Sequence, residues 1–364
     1  MRKQLISNQF ITTMRKRLMA IFVIMASIAN AGAQNVIESC EIESHELLRL
    51  GVDVRVDYQH LWQEHSTNDA NTGLEGKYFM FRVDGEIIPG LTYSWRQRLN
   101  KSHSDASFFD ATDWIYLNYA TGKFNIAGGK QVVAIGGWEY DRHPADLYCT
   151  SVFWQNIPCY QLGASVGYDI TGKDRITLQA TQSLFHTSAN RNMYAYNLMW
   201  NGSHGIYTSI WSTNLVEYLP GRYINYIALG NRFDIGKVTV EMDFMNRAAH
   251  GQSFLFKDCS IMGEVAWTPD NHWRLHGKAT YDVNHANNTA DYTVLPGTEL
   301  TMAGGGLEYY PLIKKRGAVR IHANCYYSWG HNANSADLMQ HNSVMLSVGV
   351  RCHLDLLSLK HKRH

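Results

Sequence analysis

Between Leu48 and Tyr58 apolar and polar positions take turns: Leu48, Leu50, Val52, Val54, Val56 and Tyr58 alternate with Arg49, Gly51, Asp53, Arg55 and Asp57. Successive side chains of an extended strand point to opposite faces, so the run predicts a strand with one greasy and one hydrated face. The pattern returns along the chain. Val238, Val240, Met242 and Phe244 oppose Thr239, Glu241 and Asp243; Trp273, Leu275, Gly277, Ala279 and Tyr281 oppose Arg274, His276, Lys278 and Thr280; Val319, Ile321, Ala323, Cys325 and Tyr327 oppose Arg320, His322, Asn324 and Tyr326. A strand of a soluble sandwich alternates too, but there the apolar face must fill a shared core. Small residues such as Gly277 and Ala279 on the greasy face would leave voids in a close-packed core, whereas lipid chains conform to them.

The spacing of breaks adds a second signal. Short turns are predicted at Ile88-Pro89-Gly90, Thr121-Gly122-Lys123, Thr171-Gly172-Lys173, Asn201-Gly202-Ser203, Asp234-Ile235-Gly236, Thr268-Pro269-Asp270 and Pro311 to Gly317. Longer polar segments alternate with them, near 63–76, 101–110, 134–157, 186–192, 213–222, 247–253, 284–298 and 330–342. Seven turns and eight loops predict sixteen strands with both termini on one side, the short-periplasmic, long-extracellular asymmetry of outer-membrane barrels. The expected fold is thus all-β, a transmembrane antiparallel β-barrel spanning residues 48–356, preceded by a short periplasmic segment, 34–47, and followed by a basic tail, 357–364.

A targeting segment sets the solvent. Arg15-Lys16-Arg17, the apolar run Leu18 to Ile28 and the small residues Ala31-Gly32-Ala33 fit a cleaved signal peptide over residues 1–33, with Met1 or Met14 as the start. Its removal takes away five basic and no acidic side chains and moves the formal charge from +1 to −4. A mildly acidic chain lacks the basic stripe that nucleic acid requires. Charged residues make up 18% and aromatic ones 12%, with 21 Tyr, which suits a lipid-facing surface with interfacial belts. Downstream of the signal no apolar run reaches the roughly 20 residues of a spanning helix, so integration into a membrane requires a closed barrel.

At residues 122–148 the chain reads GKFNIAGGKQVVAIGGWEYDRHPADLY, followed by YQLGASVGYDITGK; GGGLEYYP and SVMLSVGVRCHLDLL stand near its end. These stretches resemble the phosphate-selective porin O and P family, in the form found among Gram-negative anaerobes. The resemblance implies a sixteen-stranded barrel, a homotrimer in the outer membrane, and a third extracellular loop folded into the lumen. The longest predicted loop, 134–157, is third in order. Relatives most selective for phosphate line the pore with Arg and Lys; here the inward positions mix Arg55, Arg82, Arg96, Arg98, Arg274, Lys278 and Arg320 with Asp53, Asp84, Glu86, Asp243 and Glu264.

A pore discriminates anions by replacing part of their hydration with guanidinium or ammonium donors in a constriction. Lys130, on the strand leading into the third loop beside Gly128-Gly129, and Arg142 and His143 within it, are therefore constriction candidates, together with Arg55, Arg82, Arg96 and Arg98. A Gly-Gly bulge would aim Lys130 into the lumen. The competing role for these charges is a network holding the loop to the wall. Of six cysteines, Cys149 and Cys159 could staple the end of the third loop in an oxidising compartment.

The seventeen His are scattered, the nearest pairs being His272 with His276 and His361 with His364, so no metal site is expected. His186 and Ser188 lie in a polar loop without a nucleophile motif, and neither an enzyme nor a cofactor is expected. The sequence thus points to an outer-membrane channel for passive diffusion of small polar or anionic solutes; a plugged barrel serving as a structural or adhesive scaffold is the alternative.

Overall fold

The computed structural model describes residues 46–64, 66–101 and 108–360, and in it the alternation closes into one antiparallel barrel. Sixteen long strands follow the chain: β1 (Glu46–Gln63), β2 (Gly73–Ile88), β3 (Leu91–Arg98), β4 (Thr112–Thr121), β5 (Phe124–Val132), β6 (Tyr160–Asp169), β7 (Asp174–Gln182), β8 (Tyr194–His204), β9 (Tyr207–Leu219), β10 (Arg222–Ile235), β11 (Val238–Ala249), β12 (Asp258–Trp267), β13 (Trp273–Asn284), β14 (Glu299–Tyr309), β15 (Val319–His331) and β16 (Ser343–Lys360). A two-residue strand, Ser66–Thr67, folds back on the end of β1 inside the first loop. Each long strand pairs with its sequence neighbours, and β16 closes the ring on β1, from Glu46 opposite Lys360 to Gln63 opposite Ser343. Closure leaves no strand edge unpaired, the condition a sheet must meet inside hydrocarbon. No helix among the described residues is long and apolar enough to cross a membrane.

The alternation resolves into outside and inside as predicted. On β1, Val56 is 44% exposed while its neighbour Asp57 is 1% exposed, so apolar side chains face outward and charged ones inward. Aromatic pairs mark one rim near the short turns, with Phe124 5.0 Å from Tyr168 and Trp273 4.8 Å from Tyr309. Tyr327 stacks on Trp329 at the opposite rim. Such girdles are where amphipathic rings find both hydrocarbon and water.

Several boundaries move. Asn201, Gly202 and Ser203 lie within β8; a Cβ at Gly202 would stand 2.8 Å from the Trp200 ring and 2.9 Å from Ser209 Oγ, so this glycine serves packing. The turn falls instead at Gly205, whose φ of 68° supplies the left-handed residue. The predicted loop 213–222 is a continuation of β9 into β10 around a tight Pro220-Gly221 turn. At the termini, β1 begins at Glu46 and β16 reaches Lys360, so the last strand takes in the first part of the stretch read as a tail. The signal peptide, residues 34–45 and 361–364 lie outside the described residues.

A wet interior throughout is not what is found. Val133, Ile135, Val152, Phe153 and Ile157 of the third loop, with Val294 and Met339 of the seventh and eighth loops, pack on inward Tyr226, Met245, Leu300, Met302 and Tyr326 of the wall. The end of the barrel carrying the long loops thus encloses an apolar core. Strand alternation could not reveal it, because the partners come from loops.

Candidate functional site

The third loop, residues 133–159, enters the lumen and attaches to one side of it. Its Ile135-Gly136-Gly137-Trp138-Glu139 stretch lies on β9 to β11. Gly136 N–H donates to Ser212 Oγ at 2.8 Å and Gly137 N–H to the Ile210 carbonyl at 3.2 Å. Both glycines are needed for the approach: a Cβ at Gly136 would sit 2.6 Å from the Ile210 oxygen, and one at the facing wall residue Gly230 would sit 2.7 Å from Gly137 Cα. Trp138 and Glu139 then turn their N–H groups onto the two Asp243 carboxylate oxygens at 2.9 and 2.8 Å.

Beyond that anchor, ion pairs run around the wall. Arg142 joins Glu241 and, at 2.7 Å, Glu264. Lys278 meets Glu139 at 2.5 Å and the Cys149 carbonyl at 2.7 Å. Tyr148 donates to Glu308 at 2.7 Å, and Asp146 accepts from Arg320 at 2.6 Å and Arg351 at 2.7 Å. Arg55, held bidentately by Asp57, donates to the carbonyls of Ala145 and Leu147 at 3.2 and 2.5 Å. Breaking one partner out of such buried pairs leaves an uncompensated charge, so the set holds the loop in one place.

These bonds bring the loop against β9 to β16 and β1, and a different arc, β2 to β4, carries the other inward arginine candidates of the sequence. Arg82 pairs with Asp84 at 2.6 Å and Arg96 with Asp113 at 2.8 Å. Arg96 lies 3.7 Å over the Trp114 ring and also donates to the Tyr160 hydroxyl; Arg98 lies 4.4 Å over Tyr78. Asp141 of the loop is enclosed by the barrel yet water-exposed, and Arg142, His143 and Asp146 beside it are partly exposed. Water therefore reaches one face of the loop while the other is fixed to the wall. His143 Nδ1 accepts from the Ala145 N–H at 3.2 Å, and burial together with the nearby Arg96 pushes its pKa down to about 3.

The sequence candidates separate accordingly. Arg55 and Arg142 tie the loop to the wall, His143 caps a turn of it, and Arg82, Arg96 and Arg98 stand on the β2 to β4 arc. Lys130 does not face the lumen. Pairing runs unbroken through Gly128 and Gly129, so no bulge intervenes and alternation carries Lys130 outward. It lies opposite Ile115 and Leu162, which are 46% and 45% exposed, and its Nζ donates to the Phe109 carbonyl of the second loop at 2.8 Å. Cys149 and Cys159 are free thiols, not a staple. Cys149 faces Met302 Sδ at 3.7 Å, Cys159 turns to the Ile157 carbonyl, and burial pushes both up to about 12. Asp243, Glu139, Lys278, Asp146 and Tyr148 carry much of the anchoring without having been singled out as its members; GGWE was a sequence signal for Glu139 alone. No group of three or more metal-ligating side chains occurs among the described residues.

A closed ring of sixteen antiparallel strands with its third loop folded against the inner wall is the fold of a porin, a transmembrane β-barrel. Residues 48–209 match the family described as phosphate-selective porin O and P, which establishes the resemblance carried by the GGKQ and GGWE motifs. Among solved structures, an anion-selective porin from Comamonas acidovorans superposes with a TM-score of 0.63 at 10% identity, covering 84% of this chain and 99% of that one. The outer membrane channel DcaP of Acinetobacter baumannii gives 0.59 at 10%, covering 89% and 100%. A trimer form of the outer membrane protein OmpT of Vibrio cholerae gives 0.58 at 12%, covering 85% and 100%. At these identities the likeness is one of fold. No curated protein matches the chain by sequence. Family and fold together indicate an outer-membrane protein.

Proposed function

We propose that the barrel is a diffusion channel for small polar solutes with a preference for anions, its path running between the exposed face of the third loop and the β2 to β4 wall. The observation that carries this reading is the one-sided attachment of the loop: its bonds go to β7, to β9 to β16 and to β1, and the facing arc presents the partly exposed Arg82 and Arg98, with Arg96 buried against Trp114 between them. Guanidinium groups in a narrow aqueous passage lower the cost of stripping water from an anion more than from a cation. The anion selectivity named for the Comamonas protein supports the direction. The reading includes export through cleavage of residues 1–33, assembly as a homotrimer in the outer membrane, and no catalytic step. The test is a planar bilayer under a KCl gradient, where the purified protein is expected to give ohmic steps with a reversal potential on the chloride side. A reversal on the potassium side would remove the anion preference.

The apolar core at the long-loop end favours a second reading, a plugged barrel acting as a scaffold. That reading expects no current and a partner retained on mild detergent extraction.

A further inference from the structure

Most inward arginines of the described strands are already neutralised. Arg55 has Asp57, Arg82 has Asp84, Arg96 has Asp113, Arg232 has Asp234, Arg247 has Asp258 and Asp291, Arg274 has Glu264 and Glu308, Arg320 has Asp146, and Arg351 has Asp53 and Asp146. Arg98 differs. Among the described residues it meets no carboxylate: one Nη donates to the Lys77 carbonyl at 3.3 Å, Nε has no acceptor, and the half-buried side chain lies along the Tyr78 ring. Arg98 stands opposite Met80 on β2, an inward position. Tyr78 stands opposite Arg55, which holds the Ala145 and Leu147 carbonyls, so this guanidinium lies near the height of that stretch of the third loop.

Flat rings flank Arg98 and its strand neighbour Arg96, Tyr78 beside the first and Trp114 and Tyr160 beside the second. Tyr78 and Tyr160 are partly exposed, as is Trp114, which Ser94 Oγ holds by its Nε1–H at 2.7 Å. Arg96 lies between Trp114 and Tyr160, 3.7 and 5.4 Å from their ring centres. One uncompensated guanidinium suits one negative charge, and the rings beside it suit a flat apolar body. Inorganic phosphate fits less well, since it carries more than one charge at neutral pH and has no apolar part to set against the rings.

We infer that the Arg98, Tyr78 and Trp114 cluster is a selectivity subsite for planar organic monocarboxylates, aromatic carboxylates above all, in preference to inorganic phosphate. The inference rests on the channel reading. A carboxylate would take the free donors of Arg98 while its ring lies along Tyr78 or Trp114.

The experiment uses the full mature protein with benzoate, acetate and phosphate as probes. In bilayers, benzoate is expected to interrupt the chloride current at concentrations about threefold to tenfold below those of acetate or phosphate, the charged contact being common to all three and the ring contact alone supplying the difference. In detergent, quenching of tryptophan fluorescence should follow the same order, so absence of current would defeat the channel reading without deciding this one. Arg98→Gln should abolish the benzoate preference in both assays, and Arg98→Lys should restore part of it. Trp114→Leu should weaken benzoate while leaving acetate unchanged. Equal responses to benzoate and phosphate, a stronger response to phosphate, or an unaltered benzoate response in Arg98→Gln would each overturn the assignment.

Discussion

Replacing Arg142 by Met tests whether ion pairs hold the third loop to the wall. Arg142 is 18% exposed at its side chain and bridges Glu241 and Glu264, themselves 6% and 3% exposed. The substitution does not strand either carboxylate completely, because Arg232 remains 3.6 Å from Glu241 and Arg274 remains 2.6 Å from Glu264. The loss therefore falls at the low end of the roughly 3–5 kcal/mol of orphaning a buried charge. Two charge-assisted bonds at the low end of their range give about 3 kcal/mol. That energy acts locally, since the Asp243 anchor and the Lys278 to Glu139 contact remain. It raises the population of loop-detached states by about a hundredfold, at ~1.4 kcal/mol per factor of ten. Urea unfolding in detergent should show the loss of stability, and single channels should flicker between substates that the unaltered protein lacks. The double variant Arg142→Met with Glu241→Gln should fall short of additivity, as partners in one contact do. A stability change under about 0.5 kcal/mol, the range of an uninvolved surface site, together with steady current would refute the pinning argument.

Three further outcomes follow from the same contacts. His143 is held down to about 3 by burial and the neighbouring Arg96, against about 6.5 unfolded, so the unfolded chain takes up its proton first. Its share of stability is complete above pH ~6.5 and declines as pH falls from there toward 3. For Asp146, burial acts upward, but Arg320 and Arg351 hold it below the ordinary carboxylate range, so its loss begins only below pH ~3.9. A melting series from pH 7 to 5 should therefore slope in the unaltered protein and flatten in His143→Gln, with equal slopes counting against the assignment. Gly136→Ala should detach the loop through the 2.6 Å clash with the Ile210 oxygen and lower stability by about 1–3 kcal/mol, as overpacking does; an unchanged unfolding curve would mean the loop does not lie this close. Alkylation of the denatured, unreduced chain should add to both Cys149 and Cys159, and two missing adducts would restore the staple.

Much of the barrel was legible because lipid outside and charge inside impose a period of two that a single strand displays. Val56 and Asp57 show this within one dipeptide. Turn positions were less legible where a glycine has two uses: Gly202 packs beneath Trp200, while Gly205 makes the bend. Lys130 failed for a related reason, since a Gly-Gly pair was read as a bulge where the register is continuous. The loop candidates Arg142 and His143 lie against the inner wall, and their partners Glu241, Glu264 and Asp53 come from distant strands whose alignment with the loop no local pattern specifies. The apolar core under the long loops was hidden for the same reason.

Whether water lies against the free face of the third loop can be asked of a single side chain. Asp141 is replaced by Cys, channels are inserted in a bilayer, and a charged, water-soluble thiol reagent is added, with the unaltered protein as the background for its native thiols. The exposure of Asp141 inside the barrel predicts a stepwise change of current as the reagent attaches. Current identical to that of the treated unaltered protein, with no label on residue 141, would mean that the passage beside the loop is closed.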